Sequence, residues 1–373
     1  MSFSTVDREM MSRALQLAAR GLYTTSPNPS VGCVIAHDGV IAGEGYTRPA
    51  GGNHAEIEAL KSAVDARGST VYVTLEPCSH RGKTGPCAQA LIEAGVARVV
   101  VACEDPNPQV AGKGIKLLQD ADIEVACGLY EDQARAVNKG FIKRHEQGKP
   151  WVLVKIAASL DGRTAMASGQ SQWITTPESR LDVQRLRAAS CAVITGIGTQ
   201  LMDDPSLTLR ITSEELGVED SISQPLRVVV DSQLQISSDA RLFQEPGPVL
   251  VATVDGESQR QKAATLEEIG AEVLFLPALD GHVDLHALLD ELARRECNSV
   301  MVEAGAGLAG AFVAEGLLDE LVCYWAPKLF GSDARPMFSL PIQTIDAHLA
   351  LSVQDIRQIG EDIRVTLYPD KDY

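Results

Sequence analysis

The sequence predicts an α/β protein of two domains, and three observations carry that reading. Val- and Ile-rich runs of strand length alternate with helix-like stretches along the whole chain, as in layered α/β domains. A chain of 373 residues is long enough to bury two cores. A polar stretch punctuated by Gly and Pro, His145-Glu146-Gln147-Gly148-Lys149-Pro150, interrupts the alternation and reads as a junction. The domains so defined are 1–146 and 150–373.

Composition narrows the class. The apolar 45% and charged 22% are ordinary for a globular protein. The net charge of −17 comes without a Lys/Arg-rich segment, which argues against a nucleic-acid partner and for a small molecule. No apolar run approaches the roughly 18 residues of a membrane span. The first residues lack the basic and apolar regions of a signal peptide, so a cytoplasmic location is expected, with no membrane partner. The eight Cys are scattered rather than framed as disulfides, in keeping with a reducing compartment.

In the first domain, Asp7 to Gly21 reads as an amphipathic helix that Gly21 stops. Ser26-Pro27-Asn28-Pro29 is extended or turned, because its two prolines exclude helix. Val31–Ile35 and Val40–Gly45 flank His37-Asp38-Gly39 as a hairpin. Ala55–Val64 and Cys87–Ala94 are predicted helices. Thr70–Leu75, Val96–Cys103 and Ile123–Cys127 are predicted strands.

The chemistry concentrates at Gly51-Gly52-Asn53-His54-Ala55-Glu56, Glu76-Pro77-Cys78 and Cys87. His54, Cys78 and Cys87 supply one imidazole and two thiols, a donor set suited to zinc. With three protein ligands and no obvious fourth, the site reads as catalytic, since structural sites close with four. His54 and Glu56 are two residues apart, so mid-helix they would diverge. At a helix start both can face one pocket. A thiol at the N-terminus of the Cys87 helix is favoured as thiolate. Each Cys taken alone reads as an inert buried thiol; the order His-Ala-Glu, Pro-Cys, Cys is what carries the assignment.

This order resembles the zinc-dependent nucleobase deaminases, in which the Glu shuttles protons and is not a ligand, and zinc lowers the pKa of its bound water to about 7. The commonest pattern there has two Cys separated by two residues. Here Ser79 to Pro86 separate them, and this insert carries His80, Arg81 and Lys83. It reads as a binding loop, with His80 near the metal and the cations near a phosphate or simply solvated. Asn28, in the loop matching the family's substrate loop, contacts the base or ribose or else caps a turn.

The long Cys spacing, Pro27-Asn28-Pro29, Asp105-Pro106-Asn107-Pro108 and Asn138-Lys139-Gly140-Phe141 make the chain similar to the bifunctional deaminase/reductase family of bacterial riboflavin biosynthesis, over nearly its whole length. The resemblance implies a cytidine-deaminase-like αβα layered domain followed by a dihydrofolate-reductase-like α/β domain.

The second domain has its own strand candidates: Val152–Ala157, Ala192–Gly196, Leu226–Asp231, Val249–Ala252, Glu272–Leu276, Ser299–Glu303 and Leu321–Trp325. Several are continuously apolar, as in sheets covered on both faces. Ile211–Gln224 is acidic and polar and reads as a loop. Gly305-Ala306-Gly307-Leu308-Ala309-Gly310 follows a strand and opens a helix, so its main chain can approach a phosphate. The next strand ends without an acid, which excludes a standard dinucleotide fold; tight glycine packing is the competing explanation.

The matching stretches of this half are Lys155 to Gly162, Ser171 to Thr175, Gly196 to Thr199, Asp203-Asp204-Pro205 and Val302 to Gly305. By resemblance, Ala157, Trp173, Thr199, Asp203, Ser232 and the loop Gly305, Ala306, Gly307, Leu308, Ala309, Gly310 and Ala311 line an NADPH site. Ser171, Arg187, Leu207, Arg210 and Glu303 line the substrate site. Guanidinium forks suit a phosphate, so Arg187 and Arg210 fit that role; Trp173 can stack on a flat ring. Surface ion pairing and core packing are the plainer explanations for these residues.

The family's activity, carried over, is deamination of 2,5-diamino-6-ribosylamino-4(3H)-pyrimidinone 5′-phosphate with one zinc per chain and Glu56 as proton relay. NADPH then reduces the ribosyl group, with Asp203 a candidate for assisting protonation, to give 5-amino-6-ribitylaminouracil 5′-phosphate. Assembly into a homo-oligomer through the reductase domain is also implied. The rival readings are a nucleoside or tRNA deaminase with a non-catalytic second domain, and a binding protein whose zinc is closed by His80.

Overall fold

The computed structural model describes residues 3–79, 85–108 and 110–370. Contacts divide the chain into one unit of Met1–Lys149 with Ser213–Ile222 and a second of Pro150–Thr212 with Ser223–Tyr373.

In the first unit the order is α1 (Thr5–Arg20), β1 (Gly32–His37), β2 (Val40–Tyr46), α2 (Ala55–Ser62), β3 (Thr70–Val73), α3 (Cys87–Ala94), β4 (Arg98–Val101), α4 (Lys113–Asp120), β5 (Glu124–Cys127), α5 (Glu131–Val137) and α6 (Lys139–Gln147). α1 starts at a capping box, in which the Ser4 hydroxyl and the Asp7 carboxylate each accept the other's main-chain N–H. Asp38 and Gly39, both at positive φ, make the two-residue turn between β1 and β2. The sheet order is β2-β1-β3-β4-β5: β1 is antiparallel to both neighbours, and β3, β4 and β5 are parallel. Its core includes Met11, Leu17, Val34, Ile35, Val71, Leu91, Val99 and Leu118. β2 passes so close to α2 that a Cβ on Gly45 would lie 2.5 Å from the Ala59 main-chain nitrogen. Glycine there lets α2, and the site at its start, sit directly on the sheet.

The remaining elements are β6 (Trp151–Ser159), β7 (Arg163–Ala165), α7 (Pro177–Ala188), β8 (Ala192–Gly196), α8 (Ile197–Asp203), α9 (Ser213–Leu216), β9 (Leu226–Val230), α10 (Arg241–Gln244), β10 (Val249–Val254), α11 (Glu257–Glu268), β11 (Glu272–Leu276), β12 (Ala278–Leu279), β13 (His282–Val283), α12 (Leu285–Arg294), β14 (Ser299–Val302), α13 (Ala306–Ala314), β15 (Glu320–Ala326), β16 (Arg335–Pro336), β17 (Leu351–Ile359) and β18 (Asp362–Pro369). A nine-stranded sheet runs β11-β10-β9-β8-β14-β6-β15-β18-β17. It is parallel from β11 to β15 and antiparallel from there on. The inner strands Ala192–Ile194, Val228–Val230 and Val300–Val302 are buried, as their unbroken apolar runs require.

Two features depart from the sequence reading. The hairpin β17–β18 was not predicted, because β17 is largely exposed and its polar residues hide the strand period. The stretch read as a loop of the second domain contains the single turn α9, and Ser213–Ile222 clusters with the first unit. Charge explains this. Glu219 pairs with Arg20 at 3.0 Å and Arg48 at 3.3 Å, Asp220 pairs with Arg48 at 3.4 Å, and both guanidiniums lie over the Tyr46 ring. No helix among the described residues is long and apolar enough to cross a membrane.

Candidate functional site

In the first unit the helix starts do what the spacing requires. His54 is the N-cap of α2 and stays extended at φ −74° and ψ 162°, while Glu56 lies inside the first turn. His54, Cys78 and Cys87 place one donor atom each within 4.8 Å of one another. His54 Nδ1 is 3.6 Å from Cys78 Sγ and 3.3 Å from Cys87 Sγ. A tetrahedral zinc with ordinary bond lengths sets neighbouring S and N atoms about 3.5 Å apart. The donor set therefore fits zinc in both chemistry and spacing.

The electrostatics are those of a reactive site. Cys87 donates its main-chain N–H to Cys78 Sγ at 3.3 Å. Hydrogen bonds from Cys87, and then His54, hold the Cys78 thiol at about 4 against the opposing effect of burial. Cys87, hydrogen-bonded to that thiolate and buried, is pushed up instead, against the expectation that its helix N-terminus favours a thiolate there. Glu56 is 3% exposed, and burial pushes its carboxyl up to about 7, with the His54 charge opposing.

A residue whose role the sequence did not disclose, Glu76, fixes the Cys78 loop. Its Oε1 accepts the N–H groups of Gly114 at 2.8 Å and Ile115 at 3.2 Å; its Oε2 accepts those of Gly112 at 2.9 Å and Asp105 at 3.3 Å. It thereby caps α4, whose N-cap Gly112 has no side chain to do so. The main-chain N–H of Asn28 donates to the Thr25 carbonyl at 2.9 Å, closing a turn. His80, Arg81 and Lys83 lie outside the described residues.

The second unit carries a cavity of about 1270 Å³ across the C-terminal ends of β6, β14, β8 and β9. Its wall includes Ala157, Trp173, Thr199, Asp203, Ser232, Gly305, Ala306, Gly307, Leu308 and Ala311, together with Ser171, Arg187, Leu207 and Glu303. Ala309, Gly310 and Arg210, expected in the same wall, are not part of it. Ala309 is buried in the core, and a Cβ on Gly310 would run into the main chain of Ser339. The third glycine thus serves packing, whereas around Gly307 there is open space. Gly305 caps α13 and donates its N–H to Thr199 Oγ1 at 3.0 Å. Trp173 is 62% exposed with the Arg180 guanidinium 4.4 Å over its ring, so it is a rim residue and not core. Ser171 Oγ donates to Asp203 Oδ1 at 3.0 Å.

Arg187 requires a correction. Its fork is not held open for a phosphate: Nε and Nη2 meet Glu303 at 2.6 and 3.2 Å, and Nη1 donates to the Thr208 carbonyl at 2.8 Å. Lys155, unassigned until now, reaches Glu303 Oε2 at 3.5 Å from the cavity wall. Burial would raise the Glu303 carboxyl, but the Arg187 and Lys155 charges prevail and hold it at about 2.

The chain matches the family models of the cytidine and deoxycytidylate deaminase zinc-binding region over residues 4–103 and of the RibD C-terminal domain over residues 150–365. It is 49% identical to the riboflavin biosynthesis protein RibD of Escherichia coli, over 96% of this chain and 98% of the relative. With RibD of Haemophilus influenzae the identity is 47%, over 99% of each. Among solved structures, Acinetobacter baumannii RibD superposes with a TM-score of 0.88 at 44% identity, covering 98% of this chain and 99% of the other. A Thermotoga maritima diaminohydroxyphosphoribosylaminopyrimidine deaminase/5-amino-6-(5-phosphoribosylamino)uracil reductase does so at 0.85 and 32%, with the same coverage. A zinc-binding deaminase unit joined to a reductase unit that takes a nicotinamide cofactor and a small pyrimidine places this chain in the RibD family of bifunctional riboflavin-biosynthesis enzymes.

Proposed function

We propose that the first unit deaminates 2,5-diamino-6-ribosylamino-4(3H)-pyrimidinone 5′-phosphate and that the second reduces its product with NADPH to 5-amino-6-ribitylaminouracil 5′-phosphate. The observation that carries the reading is the His54, Cys78 and Cys87 triad with the buried carboxyl of Glu56 beside it. His54 Nδ1 and the two sulfurs would hold zinc, which when bound supplies an activated water at neutral pH. Glu56, poised near 7, can take a proton and return it, as relay between water, ring nitrogen and departing ammonia require. Asn28 and His80 are proposed to contact the substrate.

In the second unit the residues lining the cavity would hold the cofactor, and the main chain of Gly305, Ala306 and Gly307 at the start of α13 would suit its pyrophosphate. The Lys155–Glu303–Arg187 cluster presents fixed polar groups to the pyrimidine, and Ser171 and Leu207 line the remainder of the substrate site. Asp203, which accepts a hydrogen bond from Ser171, is the candidate for assisting protonation, and the nicotinamide cofactor when bound would supply the hydride for C1′ of the opened sugar. The enzyme acts in the cytoplasm without nucleic acid, as a homo-oligomer joined through its reductase domains.

The test is ammonia release and NADPH oxidation with the pyrimidine substrate, alongside zinc content, for wild type and Glu56→Gln. The variant is expected to keep its zinc and lose deamination by about 10²–10⁴-fold, while still reducing the deaminated intermediate. Normal ammonia release by the variant refutes the role of Glu56. Absence of NADPH consumption by the wild type refutes the second step.

A further inference from the structure

Asn138 opens the stretch Asn138-Lys139-Gly140-Phe141 and lies between α5 and α6 at φ −111° and ψ 22°, the C-cap of one helix and the N-cap of the next. An asparagine at an N-cap ordinarily turns its side chain onto the N–H groups of its own helix. This one does not. It is 5% exposed, and its amide reaches across the unit to Ser30. Oδ1 accepts the Ser30 N–H at 2.7 Å, and Nδ2 donates to the Ser30 carbonyl at 2.8 Å. A side-chain amide carries a donor and an acceptor, as a peptide group does. Asn138 therefore pairs with Ser30 as a neighbouring strand would, upstream of the point where β1 begins.

Two further side chains continue this pairing. The Val31 N–H donates to Thr47 Oγ1 at 3.2 Å, and the Val31 carbonyl accepts the Thr47 N–H at 2.9 Å. The Gly32 N–H donates to Thr74 Oγ1 at 3.1 Å, and the Gly32 carbonyl accepts the Thr74 N–H at 3.1 Å. Ser30, Val31 and Gly32 are thus each gripped at both main-chain groups by one buried polar residue. Thr47 opens the segment that ends at His54, and Thr74 the segment that ends at Cys78. Ser30 is where the Pro27-Asn28-Pro29 loop departs. Pro29 has no N–H, so the Ser30 N–H is the first main-chain donor after Asn28. The Ser30 hydroxyl donates to the Ala18 carbonyl of α1. Thr47 and Thr74 lead to the metal ligands, whereas both hydrogen bonds of the Asn138 side chain go to the loop.

We infer that Asn138 is a positioning residue, which holds the Asn28 loop in place for the pyrimidine without acting on the metal ligands. The inference rests on the proposed deaminase reading, and the experiment separates the two. Asn138→Asp keeps the volume and the oxygen that accepts the Ser30 N–H, but sets an oxygen against the Ser30 carbonyl. Asn138→Ala removes both contacts. Losing one buried hydrogen bond shifts a local equilibrium about tenfold, and substrate affinity falls with the fraction of chains whose loop stays in place. Affinity for the pyrimidine ribosylamine phosphate is measured by calorimetry on the full chain with zinc, in a Glu56→Gln background and without NADPH. It is expected to weaken about tenfold with Asn138→Asp and further with Asn138→Ala. With Glu56 present, KM for deamination should rise by a like factor, while kcat, zinc content and reduction of the deaminated intermediate hold. Hydrogen exchange at Ser30 should quicken, with the rest of the unit protected as in wild type. Unchanged exchange at Ser30, or faster exchange with unchanged affinity, overturns the assignment. Zinc loss with faster exchange throughout the unit in Asn138→Asp also overturns it, since Asn138 would then serve folding only. A wild type that releases no ammonia, yet binds the pyrimidine with an affinity the Asn138 variants weaken, sinks the deaminase reading and leaves the positioning role standing.

Discussion

Glu76→Gln removes one charge and one acceptor from a buried carboxylate that serves four main-chain N–H groups. Glutamine fills the same volume, so no cavity confuses the result. Its one carbonyl oxygen can keep Gly114 and Ile115, but its amide then points N–H at the N–H groups of Gly112 and Asp105. Each buried donor left without an acceptor costs about 1–3 kcal/mol, so the variant should lose roughly 2–6 kcal/mol. For a unit of this size that lowers the unfolding midpoint on the order of 10 °C. Calorimetry on the full-length protein should show the shift in the transition that a zinc chelator also moves. The other transition should be unaffected. Since Glu76 lies two residues before Cys78, competition with a chromophoric chelator should strip zinc from the variant more readily. A midpoint within a degree of wild type would show that the carboxylate does not hold the loop and α4 together.

Burial alone would raise the carboxyl of Asp7, but hydrogen bonds from Arg98, Ser4 and Tyr72 hold it at about 2. A depressed carboxylate stabilises the fold above its unfolded pKa, so about 1 kcal/mol, after screening, should be lost as pH falls from about 4 to 2. Asp7→Asn should flatten unfolding curves over that window, and an unchanged pH profile would exonerate the residue. Arg187→Lys keeps the charge but cannot span Glu303 and the Thr208 carbonyl together. We expect kcat/KM for reduction to fall at least about tenfold with ammonia release unaltered, and unchanged reduction would remove Arg187 from the site.

Much of this was legible because it is local. The metal triad declares itself through residue type and order, and both helix starts fall where the sequence puts them, at Ala55 and Cys87. Parallel strands covered on both faces leave apolar runs that need no partner to be recognised. What escaped depends on distant contacts. Glu76 meets its partners at positions 105 to 115, and nothing in Glu-Pro-Cys announces a helix cap supplied from another element. Lys155 had a signal, a lone charge in an apolar strand, but its meaning awaits Glu303, 148 residues on. The exposed strand β17 carries too little burial for its period to show.

The placement of Ser213–Ile222 with the first unit bears on how the molecule can be taken apart. The polypeptide passes from one unit to the other after Lys149, returns before Ser213 and leaves again after Ile222. Cutting the gene once, at the junction visible in the sequence, therefore yields no clean halves. A fragment ending at Lys149 would lack Glu219 and Asp220, leaving Arg48 with Glu58 alone, and the complementary fragment would carry that acidic segment away from Arg20 and Arg48. Separate production of the two activities calls for a short loop joining Thr212 to Ser223 in the reductase piece, with the excised peptide supplied to the deaminase piece in trans or fused to its end.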